Sequence, residues 1–193
     1  MTLGILRVAA ALEGEGHEVE MLDLSGIENF EDVVRLHAKS STAEVYGITS
    51  TTPQMPAAFR LTQALRQARP QTRIILGGPH ITLINAAYKG ELSRKAPGRA
   101  AAAMAKMLDT YDVLVPGDGE DAVFEAIKPG APKVIDADDP KSPLFLTNQR
   151  LNELPFPARH LIDAKTYRYS IDGVPAMSMI AQLGCPFACG FCG

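Results

Sequence analysis

The spacing of apolar residues changes several times along the chain. Ile5, Val8, Ala9 and Leu12 recur at three- and four-residue intervals, the repeat of one helical face. Gly14 and Gly16 end that repeat, and Glu18-Val19-Glu20-Met21-Leu22 then alternates, which predicts a strand. A weaker helical pattern over 30–39 leads into Val45-Tyr46-Gly47-Ile48-Thr49, a short apolar run that predicts a buried strand opening into a polar loop. Pro53 and Pro56 suit the entry to a helix whose face carries Met55, Phe59, Thr62 and Leu65. Arg73-Ile74-Ile75-Leu76 predicts another strand, stopped by Gly77-Gly78-Pro79. In the segment 85–109 the alanine-rich stretch 100–105 predicts a peripheral helix or an insertion. Asp112-Val113-Leu114-Val115 predicts a further strand, closed by Pro116-Gly117-Asp118-Gly119-Glu120 and followed by a helix over 123–127.

Strands that are continuously apolar and alternate with helices belong in a parallel sheet covered on both faces. The fold class implied is α/β, a doubly wound parallel sheet. From 136 to about 169 the chain is rich in Pro, Asp and Lys, with Leu154-Pro155-Phe156-Pro157-Ala158-Arg159 at its centre, and prolines oppose regular strand pairing there. Met177-Ser178-Met179-Ile180-Ala181-Gln182 then predicts a strand opening a second domain. The expected organisation is a domain over 1–135, a linker over 136–176, and the start of another domain over 177–193.

Composition narrows the function classes. With 46% apolar and 21% charged residues among 193, the chain has the material for a packed core. A net charge of -3 and the lack of any basic run oppose a nucleic-acid footprint. No apolar stretch approaches the roughly 18 residues of a membrane span, and the first residues do not read as a secretion signal, so a cytoplasmic location is expected.

The three cysteines, Cys185, Cys189 and Cys192, all fall in the last nine residues. An odd, clustered set in a Cys-free background points to a metal or cofactor site in a reducing compartment. Their Cys-x3-Cys-x2-Cys spacing suits a [4Fe-4S] cluster held through three irons, the fourth left open to another ligand. Zinc is the alternative, but it needs a fourth ligand, and the nearest upstream histidine is His160, across the linker. Because the chain ends one residue after Cys192, it is read as part of a longer polypeptide.

This cysteine segment, with Phe191 before the last thiol, resembles the cluster loop of the radical S-adenosylmethionine enzymes. The resemblance implies that the open iron is chelated by S-adenosylmethionine, that reductive cleavage gives a 5′-deoxyadenosyl radical, and that Phe191 lies near the adenine. Residues 177–193 would then be the first strand of a truncated (β/α) barrel and its cluster loop.

A second resemblance spans most of the chain. Gly47-Ile48-Thr49-Ser50-Thr51-Thr52-Pro53-Gln54, Gly77-Gly78-Pro79-His80 and Gly117-Asp118-Gly119-Glu120 each follow a predicted strand. They resemble the three loops of the Rossmann-like cobalamin-binding domain that precedes the radical barrel in the cobalamin-dependent subfamily. Loops at the carboxyl ends of parallel strands line the crevice where such sheets bind ligands. The resemblance implies cobalamin contacts from Thr49, Ser50, Thr51, Thr52, Pro53, Gln54, Gly77, Gly78, Pro79, His80, Gly117, Gly119 and Glu120, with His80 lining the cofactor.

Asp118 departs from the usual third-loop glutamate. The family's first strand is also missing ahead of Thr2-Leu3-Gly4; in a 2-1-3-4-5 sheet that strand is central, so two neighbours would lack a partner. The Asp-x-His-x-x-Gly motif of another cobalamin subfamily is not matched, since Met1 stands where its histidine would be, which opposes a protein histidine under the cobalt. His17, His37 and His160 are read as surface or capping residues, and Met55, Met104 and Met107 as core. Neither a Ser-His-Asp order nor Gly-x-Gly-x-x-Gly is found.

The resemblance implies the amino-terminal part of an enzyme acting on a small-molecule substrate, by methyl transfer or a related rearrangement. An electron donor such as flavodoxin or ferredoxin would serve it, and neither nucleic acid nor membrane is expected as a partner. The alternatives are a non-catalytic cobalamin-binding module with a structural zinc site, and an inactive gene fragment.

Overall fold

Helices and strands alternate in the computed structural model, whose described residues are 3–163, 166, 167 and 169–176. In order they are α1 (Leu3–Gly14), α2 (Phe30–Ser40), β1 (Val45–Thr49), α3 (Met55–Ala68), β2 (Arg73–Gly77), α4 (Pro79–Ser93), α5 (Arg99–Thr110), β3 (Val113–Val115) and α6 (Gly119–Ala126). The strands are parallel in the order β1-β2-β3, with Val45 opposite Arg73, Thr49 opposite Gly77 and Ile75 opposite Val113. Three parallel strands finish on one edge, so the residues that follow each of them share that edge.

Alternation along the strands builds two cores. Ile74, Leu76 and Leu114 pack with Val34 of α2, Leu65 of α3, Ile81 of α4 and Met104 of α5. Ile75, Val113 and Val115 point the other way and pack with Ala122 and Ala126 of α6 and with Ile135 and Ala137. Both faces are therefore covered, as the apolar strands imply. Met55, Met104 and Met107 are all buried core residues.

The helix expected to be peripheral in the segment 85–109 instead packs on the core. The alanine run conceals a face, Ala100, Met104, Met107 and Tyr111, spaced four, three and four apart and entirely buried. The Glu91 carboxylate of α4 accepts the N–H groups of Gly98, Ala100 and Ala101 at 2.8, 2.9 and 2.8 Å, satisfying donors that the start of α5 leaves open. Those bonds hold Glu91 below the usual carboxylate range.

The strand expected over 18–22 does not form. Val19 and Met21 pack beside Ala9 and Ala10 of α1, and Leu24 packs on the larger core, so the alternation buries one side of this segment. Helices offer side chains but no free backbone ladder, and a strand needs one. Among the described residues β1 pairs with β2 alone. Residues 18–22 and β1 are the two segments that a 2-1-3-4-5 order would place on either side of a central first strand.

Helix α6 begins at Gly119, before the 123–127 expected, and residues 134 and 137 extend the sheet through isolated parallel bridges to Leu114 and Gly117. Over 138–162 the chain forms a short α-helix, α7 (Asn148–Glu153), whose Arg150 pairs with Asp121 of α6 at 2.9 Å, and a single 3-10 turn over Arg159–Leu161. The proline-flanked strap lies on α1, where the Ala158 N–H donates to the Leu6 carbonyl at 2.9 Å. Residues from 163 on belong to a separate unit. There β4 (Ser170–Ile171) and β5 (Val174–Pro175) form a hairpin, its Asp172-Gly173 turn at φ 50° and 78°. The expected strand over 177–182, the cysteine loop and Phe191 lie outside the described residues.

Candidate functional site

The carboxyl edge of the sheet gathers most of the residues singled out from the sequence. After β1, Ser50 is buried and its hydroxyl donates to the Met55 sulfur at 2.8 Å. Thr51 donates to the Gln54 Oε1 from both its N–H and its hydroxyl, at 2.9 and 3.0 Å, which shapes a short turn over Thr52–Gln54. Thr51, Thr52, Pro53 and Gln54 remain exposed to solvent.

After β2, Gly78 adopts φ 91° and ψ −176°, a conformation close to glycine-only. A side chain there would also meet the Thr49 hydroxyl and approach Ser50 N to 3.1 Å. This close passage lets the first turn of α4 reach back to the β1 loop. The His80 N–H donates to the Ser50 carbonyl at 3.1 Å, and its Nδ1 shares a hydrogen bond of 3.1 Å with the Thr52 hydroxyl. Burial pushes the His80 imidazole below its usual value, favouring the neutral ring.

After β3, Gly117 has φ 92°, and the backbone of 137 and 138 occupies the place a side chain would take. Gly119 and Glu120 face elsewhere. Gly119 lies against Val8 of α1, where an added methyl would sit 3.0 Å from a valine methyl. The Glu120 side chain is 6% exposed and is paired with Arg7 Nε at 3.0 Å. Burial raises Glu120 above the usual carboxylate range, with Arg7 opposing the shift. The structure thus brings residues 49–54, 77–80 and Gly117 together, while Gly119 and Glu120 dock α6 on α1.

Residues that the sequence reading did not select link these loops. The Thr82 hydroxyl donates to the Gly78 carbonyl at 3.1 Å and accepts the Gly117 N–H at 2.9 Å. Asn85 Nδ2 donates to Asp136 Oδ2 at 2.9 Å, and Lys89 is ion-paired with the same carboxylate. Asp136 Oδ1 in turn accepts the Asp138 N–H at 3.0 Å. Thr82, Asn85 and Lys89 are spaced three and four apart on α4, a polar stripe that marks one helical face.

One surface cavity among the described residues, about 550 Å³, lies away from these loops among Phe59, Thr62, Arg66, Asp109 and Thr110. Among the described residues no group of three or more His, Cys, Asp or Glu side chains is placed to hold a metal ion. No helix among them is long and apolar enough to cross a membrane.

Residues 1–93 match the B12 binding domain. The matched span ends with α4, so it contains the loops after β1 and β2 and the residues that bridge them. Over 97% of its length the chain is 27% identical to an uncharacterized methyltransferase of Pyrococcus horikoshii. Over 99% it is 26% identical to the anaerobic magnesium-protoporphyrin IX monomethyl ester cyclase of a Synechocystis species. It spans 39% and 37% of those two proteins, under two-fifths of either. The solved N-terminal domain of a hypothetical protein from Thermotoga maritima aligns with 68% of the chain and 88% of its own length at 16% identity, with a TM-score of 0.37.

A cobalamin fits this edge in the kind of group presented. Thr51 and Thr52 offer exposed hydroxyls and Gln54 an exposed amide, and the backbone at Gly77, Gly78 and Gly117 is half-exposed, although the side-chain space at Gly78 and Gly117 is taken by the chain's own atoms.

Proposed function

We propose that this chain is the amino-terminal part of a cobalamin-dependent radical S-adenosylmethionine enzyme, in which residues 1–135 carry cobalamin and Cys185, Cys189 and Cys192 hold a [4Fe-4S] cluster. The observation that carries the reading is the pairing of a B12 binding domain match over 1–93 with a Cys-x3-Cys-x2-Cys segment after a linker in one polypeptide. Similarity over nearly the whole chain to a methyltransferase and to an anaerobic cyclase supports methyl transfer or a related ring-forming reaction on a small molecule. Bound, the cobalamin would supply a transferable methyl group or a redox-active metal.

The chain's own part is binding and positioning. Thr51, Thr52 and Gln54 would hydrogen-bond the polar periphery of the cofactor, and the half-exposed backbone of Gly77, Gly78 and Gly117 would line it. His80 would line the site in its neutral form. Cysteine thiolates would fix three irons of the cluster and leave one free for S-adenosylmethionine, with Phe191 beside the adenine. An electron donor of the flavodoxin or ferredoxin class would reduce the cluster, in the cytoplasm.

The test uses the full-length parent, reconstituted anaerobically with iron, sulfide and hydroxocobalamin. Expected are tight cobalamin, a cluster in stoichiometric amount, and 5′-deoxyadenosine formation that disappears in Cys189→Ala. Zinc in place of iron and sulfide, or undiminished S-adenosylmethionine cleavage by the alanine variant, overturns the proposal.

A further inference from the structure

The hydrogen bonds around α4 point to one helix acting as the keel of the candidate site. The loops after β1, β2 and β3 come from chain segments far apart in sequence, and a parallel sheet holds only their starting points. Beyond the strand ends each loop needs its own restraint. The loops after β1 and β2 are tied by two bonds from His80, its N–H to the Ser50 carbonyl and its ring to Thr52, both 3.1 Å. Those after β2 and β3 are joined by the Thr82 hydroxyl, 3.1 Å from the Gly78 carbonyl and 2.9 Å from the Gly117 nitrogen.

One turn further along α4, Asn85 is 4% exposed and holds Asp136 at 2.9 Å. Asp136 fixes the Asp138 N–H at 3.0 Å, in the strand of chain that presses on Gly117. Gly117 is thus gripped from two sides, by Thr82 through its nitrogen and by residues 137 and 138 against its α-carbon.

We infer that Thr82 is a positioning residue for the ligand of this edge, and that it sets the separation of the Gly78 and Gly117 backbones. The inference rests on the cobalamin reading above and concerns how the site is held. A hydroxyl is needed because one atom must donate to a carbonyl and accept from an amide at once, which a methyl cannot do and a serine can. With the hydroxyl removed, the Gly117 N–H has no acceptor and the loop is free to move relative to Gly78.

The experiment is a hydroxocobalamin titration, followed by visible absorbance, of the full-length parent and of its Thr82→Val and Thr82→Ser variants, with melting curves for each. We expect Thr82→Val to bind about tenfold more weakly, the factor that corresponds to one lost hydrogen bond of about 1.4 kcal/mol, and Thr82→Ser to bind within about twofold of the unsubstituted parent by retaining that bond. Hydrogen exchange at the Gly117 amide should quicken in the valine variant and not in the serine one. If the valine variant does not fold, Thr82→Ala replaces it, being the better helix former.

Unchanged affinity in the variant without the hydroxyl, or equal weakening in the serine and valine variants, overturns the inference while leaving the cobalamin reading intact. No binding by the unsubstituted parent overturns both.

Discussion

Replacing Gly117 with alanine tests the geometry of the β3 loop most directly. The residue sits at φ 92°, where an L side chain is strained, and strain of this kind costs about 1–3 kcal/mol. A methyl there would also stand 2.9 Å from the Ala137 carbonyl oxygen and closer still to the Asp138 nitrogen, both backbone atoms that cannot rotate away. Relief requires the 133–138 segment to withdraw from the sheet. That would break the 2.9 Å bond from the Ala137 N–H to the Pro116 carbonyl, a net loss of about 1 kcal/mol. It would also loosen Ile135 and Ala137 in the core under α6.

Together these costs come to about 3–5 kcal/mol, the sum of strain, one hydrogen bond and partial loss of packing. Gly130 provides the control. Its φ is 75° but nothing lies within 4 Å of an added methyl, so Gly130→Ala bears strain alone, about 1–2 kcal/mol. For a domain of this size each kcal/mol moves the melting temperature by about 2–4 °C. Thermal denaturation followed by circular dichroism should therefore show Gly117→Ala melting roughly 10 °C below the parent and Gly130→Ala only a few degrees below. Equal shifts for the two would refute the close passage of residues 137 and 138 over Gly117.

Two further outcomes follow from burial and pairing. Arg7→Met leaves the buried Glu120 carboxyl without its partner and should cost about 3–5 kcal/mol at neutral pH, because an uncompensated buried charge remains. Burial already raises Glu120, so the folded state takes up its proton before the unfolded state does. The penalty is thus present above the raised folded value and shrinks as pH falls through it toward the ordinary glutamate value. Urea melts between about pH 4 and 7 check this, and a defect that grows on acidification counts against it. At the sheet edge, parallel register turns the N–H groups of Val45, Gly47 and Thr49 away from β2. Their hydrogen exchange should run faster than that of Tyr46 and Ile48, and strong protection at Gly47 would mean that β1 has a second partner.

Local pattern revealed the order of elements well where each element buries its own stripe. β1, β2 and β3 announced themselves as apolar runs because both sheet faces are covered, and α1 to α3 by helical spacing. The failures are those in which the signal belongs to a neighbour. Helix α5 looked peripheral because four of its first six residues are alanine, and the larger residues of its buried face, Met104, Met107 and the following Tyr111, come after that run. Residues 18–22 alternate as a strand does because Val19 and Met21 rest on α1. Alternation records only which side is buried, whereas a strand also requires backbone partners that no local pattern encodes.

The candidate site divides along the same line. Glycines at 78 and 117 were legible because a positive φ leaves a residue-type signature at the position itself. Glu120 was legible as a loop residue but not as a buried partner of Arg7, since the two lie on different helices and neither sequence context marks the pair. Thr82 left the least trace. Its hydroxyl joins the Gly78 carbonyl four residues back to the Gly117 nitrogen 35 residues ahead, and only the second bond distinguishes it from any helical threonine bonding to its preceding turn. A polar stripe on a helix is ordinarily its solvent face. On α4 the stripe of Thr82, Asn85 and Lys89 runs instead beneath the loops and includes a nearly buried Asn85, and burial is what turns a surface pattern into a brace for the site.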